Sequence, residues 1–429
     1  MPSTEDIAHL APETPPVEFN PLLPEFRANP YPIYARLRAE DPVHKSTLTG
    51  LWVLSRYADV AMVLRDPRFG RANAEEFWRE RVGPGPIHQI FTKWMLFRDP
   101  PDHTRLRTLV NKAFTPRVIE GLRPRIQQIV DALLDEVQEA GRMDVIAALA
   151  YPLPVLVICE LLGVPVKDRD IFTEWSGDLA RLLDPILTPE VVERGNTVVA
   201  SMGEYFRTLI AALRKHPQDN LLSAMIAAEE QGDRLSEEEL LANCILLFGA
   251  GHETTVNLIG NGTLALLQHP DQLAKLRKNP ELIHSAIEEC LRYDSPVQLT
   301  GRQIKEDVEI SGKVLQAGEM VFALIGAANR DPAQFPDPDR FDVTRNDSRH
   351  LAFGQGIHFC LGAALARLEG QIAIGTLVRR LPGLRLQTDT PQRREAFTLR
   401  GLQALPVSFS MGAQDERAQR RATNRLRSC

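Results

Sequence analysis

The stretch Phe353–Gly362 reads FGQGIHFCLG and runs directly into a helical segment, Ala363 to Arg380. Its three glycines, Gly354, Gly356 and Gly362, permit sharp turns and a close approach of backbone to a neighbouring group. Cys360 stands at the mouth of the helix, where unpaired N–H groups and the positive end of the dipole favour thiolate over thiol. A lone cysteine is ordinarily a buried, inert thiol. Glycines on both sides of this one point instead to an anionic ligand presented to something large and flat.

Working outward, helical periodicity dominates the 429 residues, as in Ile126, Ile129, Val130, Leu133, Leu134 and Val137. Strand signals are short: Trp52 to Leu54, and a hairpin region from Val308 to Leu324 with turns at Ser311-Gly312 and Ala317-Gly318. The expected fold class is mainly α with a smaller β region. No repeat or Gly/Ser linker divides the chain. One domain over residues 21–410 is expected, between a loosely ordered, proline-rich arm at 1–20 and a basic tail at 411–429 that frays.

A net charge of -6 argues against nucleic acid as partner. The longest apolar stretch, Leu240 to Gly251, is well short of the ~20 residues of a membrane helix, and the N-terminus lacks the features of a secretory signal. Five scattered cysteines form neither a disulfide ladder nor a zinc pattern. A reducing, cytoplasmic setting is expected.

The segment Ser236 to Gln268 predicts one long helix, opened by a Ser236/Glu239 capping box and stopped by His269-Pro270. Its centre departs from an ordinary buried helix. Gly249, Ala250 and Gly251 remove bulk, and Glu253 with Thr254 places an acid and a hydroxyl among apolar residues. Each interior glycine costs roughly 1 kcal/mol, which either a flat ligand or close helix packing could offset. The Thr254 hydroxyl is also placed to bond the Ala250 carbonyl and open a pocket.

At this point the chain resembles the cytochrome P450 family. Phe353 to Gly362 matches its haem-binding loop, F-x-x-G-x-x-x-C-x-G, at every fixed position. Ala250-Gly251-His252-Glu253-Thr254-Thr255 is similar to the family's oxygen-binding groove, Glu289-Cys290-Leu291-Arg292 to its E-x-x-R motif, and Pro338-Asp339-Arg340-Phe341 to the segment that supplies Glu289 with a second arginine. The resemblance covers about residues 20 to 410. It implies a triangular helical prism around haem b, with the long helix crossing over the haem.

The resemblance assigns roles. Cys360 is the axial iron ligand, a thiolate that pushes electron density onto the metal and favours O–O cleavage. Glu253 and Thr254 form an acid–alcohol pair that delivers protons during O2 activation. His103, Arg107, Arg302 and His358 meet the haem propionates, with His103 and Arg107 four apart on one helical face. Phe353, Gly354, Gly362 and Ala250 border the haem. Glu289, Arg292 and Arg340 are structural and hold the loop before Cys360; Asn279 and Pro280 start their helix.

The implied activity is insertion of one oxygen atom from O2 into a hydrophobic small molecule of the fatty acid, terpenoid, steroid or polyketide class. Apolar residues expected at the substrate are Ile90, Phe91, Trp94, Met95, Leu182, Leu183, Leu246, Gly249, Val297, Leu299 and Leu402, with Gln298 and Gln403 as polar anchors. Gly83-Pro84-Gly85-Pro86 has the composition of an entrance flap. The chain contains no flavin or nicotinamide motif, so NAD(P)H is expected to act only through a separate ferredoxin or flavodoxin and its reductase, docking on Arg105, Lys112, Arg349 and Arg367. A monomer suffices. The rivals are a peroxide-driven haem-thiolate oxygenase, against which the intact Glu253-Thr254 pair argues, and a non-catalytic haem accessory or sensor protein.

Overall fold

A computed structural model describes residues 15–71, 74–111, 114–230, 235–347 and 349–410. The tail at 411–429 and residues 1–14 of the N-terminal arm lie outside them. Residues 15–20 depart from the expectation of a loose arm. Val17 and Phe19 are buried, and Phe19 packs edge-on against Phe26 and Phe397 at 5.5 and 5.8 Å. Two apolar side chains two apart, followed by Pro21, suffice to dock this segment.

Helices form most of the described structure, and their centre is the helix Glu237–Gln268. Its capping box forms: Glu239 donates its backbone N–H to Ser236 Oγ at 3.2 Å, and Ser236 donates its own to Glu239 Oε2 at 2.9 Å. Nearly every residue from Leu240 to Leu266 is buried, because neighbouring helices cover all sides of this one. Gly249 and Gly251 serve close packing: a Cβ on Gly249 would stand 2.5 Å from Leu179, and one on Gly251 would stand 3.3 Å from Ile158.

A five-stranded sheet runs in the order Val43–Lys45, Trp52–Leu54, Met320–Ala323, Thr300–Ile304, Phe69–Gly70. Only the pairing of Trp52–Leu54 with Met320–Ala323 is parallel. The hairpin is shorter than expected. It joins Val308–Ile310 to Lys313–Leu315 through Ser311 (φ 52°) and Gly312 (φ 77°), the positive pair that a tight two-residue turn requires. After Gly318 (φ 90°) the chain leaves the hairpin and enters the larger sheet.

Asn279 caps no α-helix. A single 3-10 turn, Pro280–Leu282, follows it, and the helix proper is Ile283–Tyr293. Glu289 and Arg292 nevertheless meet on that helix as a two-point ion pair (2.7 and 2.8 Å), each side chain only 1% exposed. Arg292 also donates to the carbonyls of Asn329, Pro338 and Arg340, while the backbone N–H of Asp342 donates to Glu289. The second arginine on Glu289 is Arg345, at 3.2 Å, and not Arg340. In this irregular segment Phe341 is buried while its neighbour Arg340 points to solvent, 61% exposed, with a 3.9 Å contact to Asp342.

A second buried charge cluster centres on Asp294. It accepts from Tyr31, Arg393 and Arg400 at 2.7, 2.7 and 2.8 Å, and burial is overridden by those arginines to hold its carboxyl far below the usual range. The cluster ties the N-terminal helices to the segment 393–400.

Removing one partner of a buried pair leaves the other charge uncompensated. Arg292→Ala therefore costs about 3–5 kcal/mol of stability and Arg345→Ala roughly 1.5–3 kcal/mol, whereas Arg340→Ala stays within about 0.5 kcal/mol. Denaturant titration of the three variants checks the order, and an Arg340 loss equal to that of Arg345 would contradict it.

Candidate active site

The Cys360 loop and the middle of the long helix line one internal cavity of about 390 Å³, inside the range of roughly 300–1,000 Å³ usual for ligand sites. The helix Ala363–Arg380 carries the loop and packs directly against the long helix. Gly354 (φ 67°) and Gly356 (φ 71°) make the turns that return the chain to Phe353, whose carbonyl accepts the Cys360 N–H at 2.9 Å. A Cβ on Gly356 would also stand 2.5 Å from the Leu64 carbonyl oxygen. Gly362 lines the cavity and has no heavy atom within 4 Å of where a Cβ would sit.

Burial pushes the Cys360 thiol above its ordinary range, opposite to the expected net effect of the helix terminus. The Gly362 N–H, Arg107 and Arg367 act in the anticipated direction but are outweighed. A metal cation is the counter-charge that would stabilise thiolate here.

His103, Arg107, Arg302 and His358 come together on the cavity wall. The rings of His103 and His358 lie 4.3 Å apart. Arg107 donates to the Phe359 carbonyl and to Asn111, and Arg302 to Thr300 and the Gly301 carbonyl. Burial lowers the pKa of both histidines, of His358 strongly, with nearby guanidiniums adding to the effect; burial brings Arg302 down to about 10. His358 Nε2 is buried without a partner. Neither Arg107 nor Arg302 has a carboxylate at ion-pair distance among the described residues. Such a cluster fits a dianionic ligand, and the open face at Gly362 beside the Cys360 sulfur fits a flat metal-bearing one.

On the long helix, Thr254 lines the cavity and donates its hydroxyl to the Ala250 carbonyl at 2.9 Å, as the sequence predicts. Glu253 lies behind it, 2% exposed, and accepts from Arg394. Burial raises the Glu253 pKa, while Arg394 opposes the rise. Arg394 also donates to the Leu402 carbonyl at 3.0 Å and lies over the Tyr151 ring. No sequence pattern singled out Arg394, which sits in a polar stretch near the end of the fold.

Six of the expected apolar contacts line the cavity besides Gly249: Trp94, Met95, Leu183, Leu246, Val297 and Leu299. Asn243 of the long helix fixes the first two, accepting the Met95 N–H at 3.1 Å and donating to the Lys93 carbonyl at 3.3 Å. Ile90, Phe91, Leu182 and Leu402 are core residues instead. Phe91 stacks on Trp94 at a 3.8 Å centroid distance, Leu182 fills the space left by Gly195, and Leu402 faces Gly260. Helix phase explains the middle error: Leu179, Ala180 and Leu183 line the cavity, and Leu182 points the other way. Gln298 is also misplaced, since its amide is held by Tyr34 and the Ser295 carbonyl, and Gln403 is exposed.

Sequence reading also missed Arg71, Phe77, Trp78, Phe97 and Glu369 on the cavity wall. Glu369 was within reach: it shares a helical face with Leu365 and Ala366, and burial pushes its carboxyl up to about 8. Two of the expected docking cations are occupied. Arg105 pairs with Glu239 and Asp102; Arg367 makes two bonds to Glu288 (2.7 and 2.9 Å) and lies over Phe353. Arg349 is exposed but pairs with Asp347, and Lys112 lies outside the described residues.

Comparison with known proteins gives the family. Residues 178–408 match the family model for cytochrome P450. The biotin biosynthesis cytochrome P450 of Bacillus subtilis is 45% identical over 388 residues, covering 90% of this chain and 97% of that one. The cytochrome P450 monooxygenase PikC of Streptomyces venezuelae is 45% identical over 413 residues, covering 94% and 96%. The solved structure of P450BioI with acyl carrier protein ligated to hexadec-9Z-enoic acid superposes with a TM-score of 0.84 at 44% identity, covering 90% of this chain and all of that one. The chain belongs to the cytochrome P450 family and has its fold. It is a monooxygenase of the bacterial type, a family that uses haem iron and O2. No helix among the described residues is long and apolar enough to cross a membrane.

Gly356→Ala combines a strained φ with a clash against backbone that cannot move away. It is expected to leave secondary structure intact and to lower haem content at least severalfold, read from the haem-to-protein absorbance ratio.

Proposed function

We propose that Cys360 ligates the haem iron, that His103, Arg107, Arg302 and His358 hold the two propionates, and that Phe353, Gly354, Gly362 and Ala250 border the ring. The observation that carries this reading is the cavity that brings Cys360, the cationic cluster and Thr254 together from segments spread along the chain between residues 103 and 360. When bound, haem supplies the redox chemistry by which O2 is activated for transfer of one oxygen atom.

The protein's own part is to place substrate and protons. Trp94, Met95, Leu246, Val297 and Leu299 form an apolar wall that excludes water and favours a hydrophobic molecule. Thr254, held by the Ala250 carbonyl, presents a hydroxyl to the cavity, and Glu253 replenishes its proton from the far side of the helix. The carboxyl must leave Arg394 to do so, which makes that arginine a positioning residue for the relay. Electrons come from a separate ferredoxin or flavodoxin and its reductase, fed by NAD(P)H. They enter on the Cys360 side, where Ile357 and Phe359 are 54% and 42% exposed.

With a reductase system supplied, Thr254→Ala keeps substrate binding but diverts most reducing equivalents to hydrogen peroxide, measured as peroxide against product. Unchanged coupling would remove Thr254 from the relay, and product formed from peroxide alone at the same rate would favour the peroxide-driven rival. Glu253→Gln slows turnover by about 10²-fold, the lower end of general acid catalysis.

Arg394→Leu removes the charge that opposes the burial-driven rise at Glu253, so the carboxyl holds its proton to higher pH. The Glu253-dependent limb of the rate profile then moves to the alkaline side, and a shift to the acid side contradicts the assignment.

A further inference from the structure

Four guanidiniums, those of Arg71, Arg81, Arg107 and Arg302, line the cavity, more than two propionates can match. Taking the proposed cradle as given, Arg107 and Arg302 supply two permanent charges for two carboxylates, and His103 and His358 add donors. Arg71 is a third guanidinium on the same cavity wall. It directly follows the strand Phe69–Gly70, whose register places Gly70 opposite Gln303, next to Arg302. Both guanidiniums reach the Thr300 hydroxyl, Arg71 at 3.2 Å and Arg302 at 3.0 Å. Each opposes the charge of the other, and sheet pairing holds them together.

Arg71 is left with donors to spare. Its Nε is buried with no partner, its guanidinium lies over the Phe97 ring at 5.3 Å, and no carboxylate among the described residues pairs with it. Asp99 is already engaged: it accepts the backbone N–H of Arg71 at 2.9 Å and pairs with Lys305 at 3.0 Å. Two other charged groups on the wall also keep an unpartnered buried atom, Arg81 at Nε and Glu369 at Oε2. Arg81, however, has carbonyls for its terminal nitrogens, those of Asp184 and Pro185, and Asp184 accepts the N–H groups of Phe397 and Thr398. An enclosed guanidinium without an anion is costly, and its planar fork matches a carboxylate at two points.

We propose that Arg71 binds a carboxylate of the substrate, so that the substrate is a free long-chain carboxylic acid whose chain passes along Phe97, Leu299 and Val297 toward Thr254. An ester or thioester of the same chain carries no charge and gains nothing from this arginine. The inference deepens the monooxygenase reading and rests on it.

The test is spectral titration of the full-length, haem-loaded protein with tetradecanoic acid and with its methyl ester, following the low-to-high-spin shift. The wild type binds the acid at least about tenfold more tightly than the ester. Arg71→Gln abolishes that preference, leaves the ester affinity within about twofold, and keeps haem content and the reduced carbonyl spectrum unchanged. Three results overturn the proposal: a wild type that binds the acid no tighter than the ester, a variant that retains the preference, and a variant that loses haem, which would assign Arg71 to the propionates. A wild type lacking the thiolate carbonyl spectrum would instead overturn the haem-thiolate reading beneath it.

Discussion

The ion pair between Glu289 and Arg292 is the constraint on which the rest of the molecule depends. Two opposite charges on one helix are taken almost wholly out of water, a state that stays favourable only while every remaining donor and lone pair is matched. The matching groups are supplied by the irregular segment ahead of the Cys360 loop, through the carbonyls of Asn329, Pro338 and Arg340 and the N–H of Asp342. A stretch with little regular secondary structure thus acquires one definite path. The sulfur of Cys360 inherits its position from that path, because the loop follows within twenty residues and has only its own glycine turns to adjust with.

The cavity shows the complementary arrangement. There the positive groups outnumber the negative ones, and burial works against each of them. The fold stabilises its own internal charges at Glu289 and Asp294 and leaves those facing the cavity for ligands to neutralise. Binding energy from a charged group can therefore be large at this wall, while the apolar wall opposite supplies the less specific contribution of buried surface.

Much of this was legible in the sequence, for reasons that differ by residue. The long helix, its capping box and the Thr254–Ala250 bond follow from local rules that operate within four residues, so the sequence states them outright. Cys360 and the glycine turns are equally local. The partner of Glu289 was misassigned because Arg340 and Arg345 lie in one irregular segment, and which arginine points inward is a tertiary fact. Leu182 failed by one position of helix phase. Arg71 and Arg394 were invisible because each acts on residues more than a hundred positions away, through sheet register in one case and a crossing loop in the other.

The segment 393–402 carries a further consequence. Arg393 and Arg400 grip Asp294, Arg394 grips Glu253, and between these fixed points Thr398 and Leu399 face the cavity. The same short span is thus a structural strut, a holder of the acid and part of the substrate wall. Thr398 is tied down, its hydroxyl donating to the Leu183 carbonyl at 2.9 Å, whereas a different side chain at 399 would change which molecules fit while the backbone stays pinned on both sides by the buried charges. Such a design separates what must stay constant from what is free to specialise, and it does so within ten residues of chain.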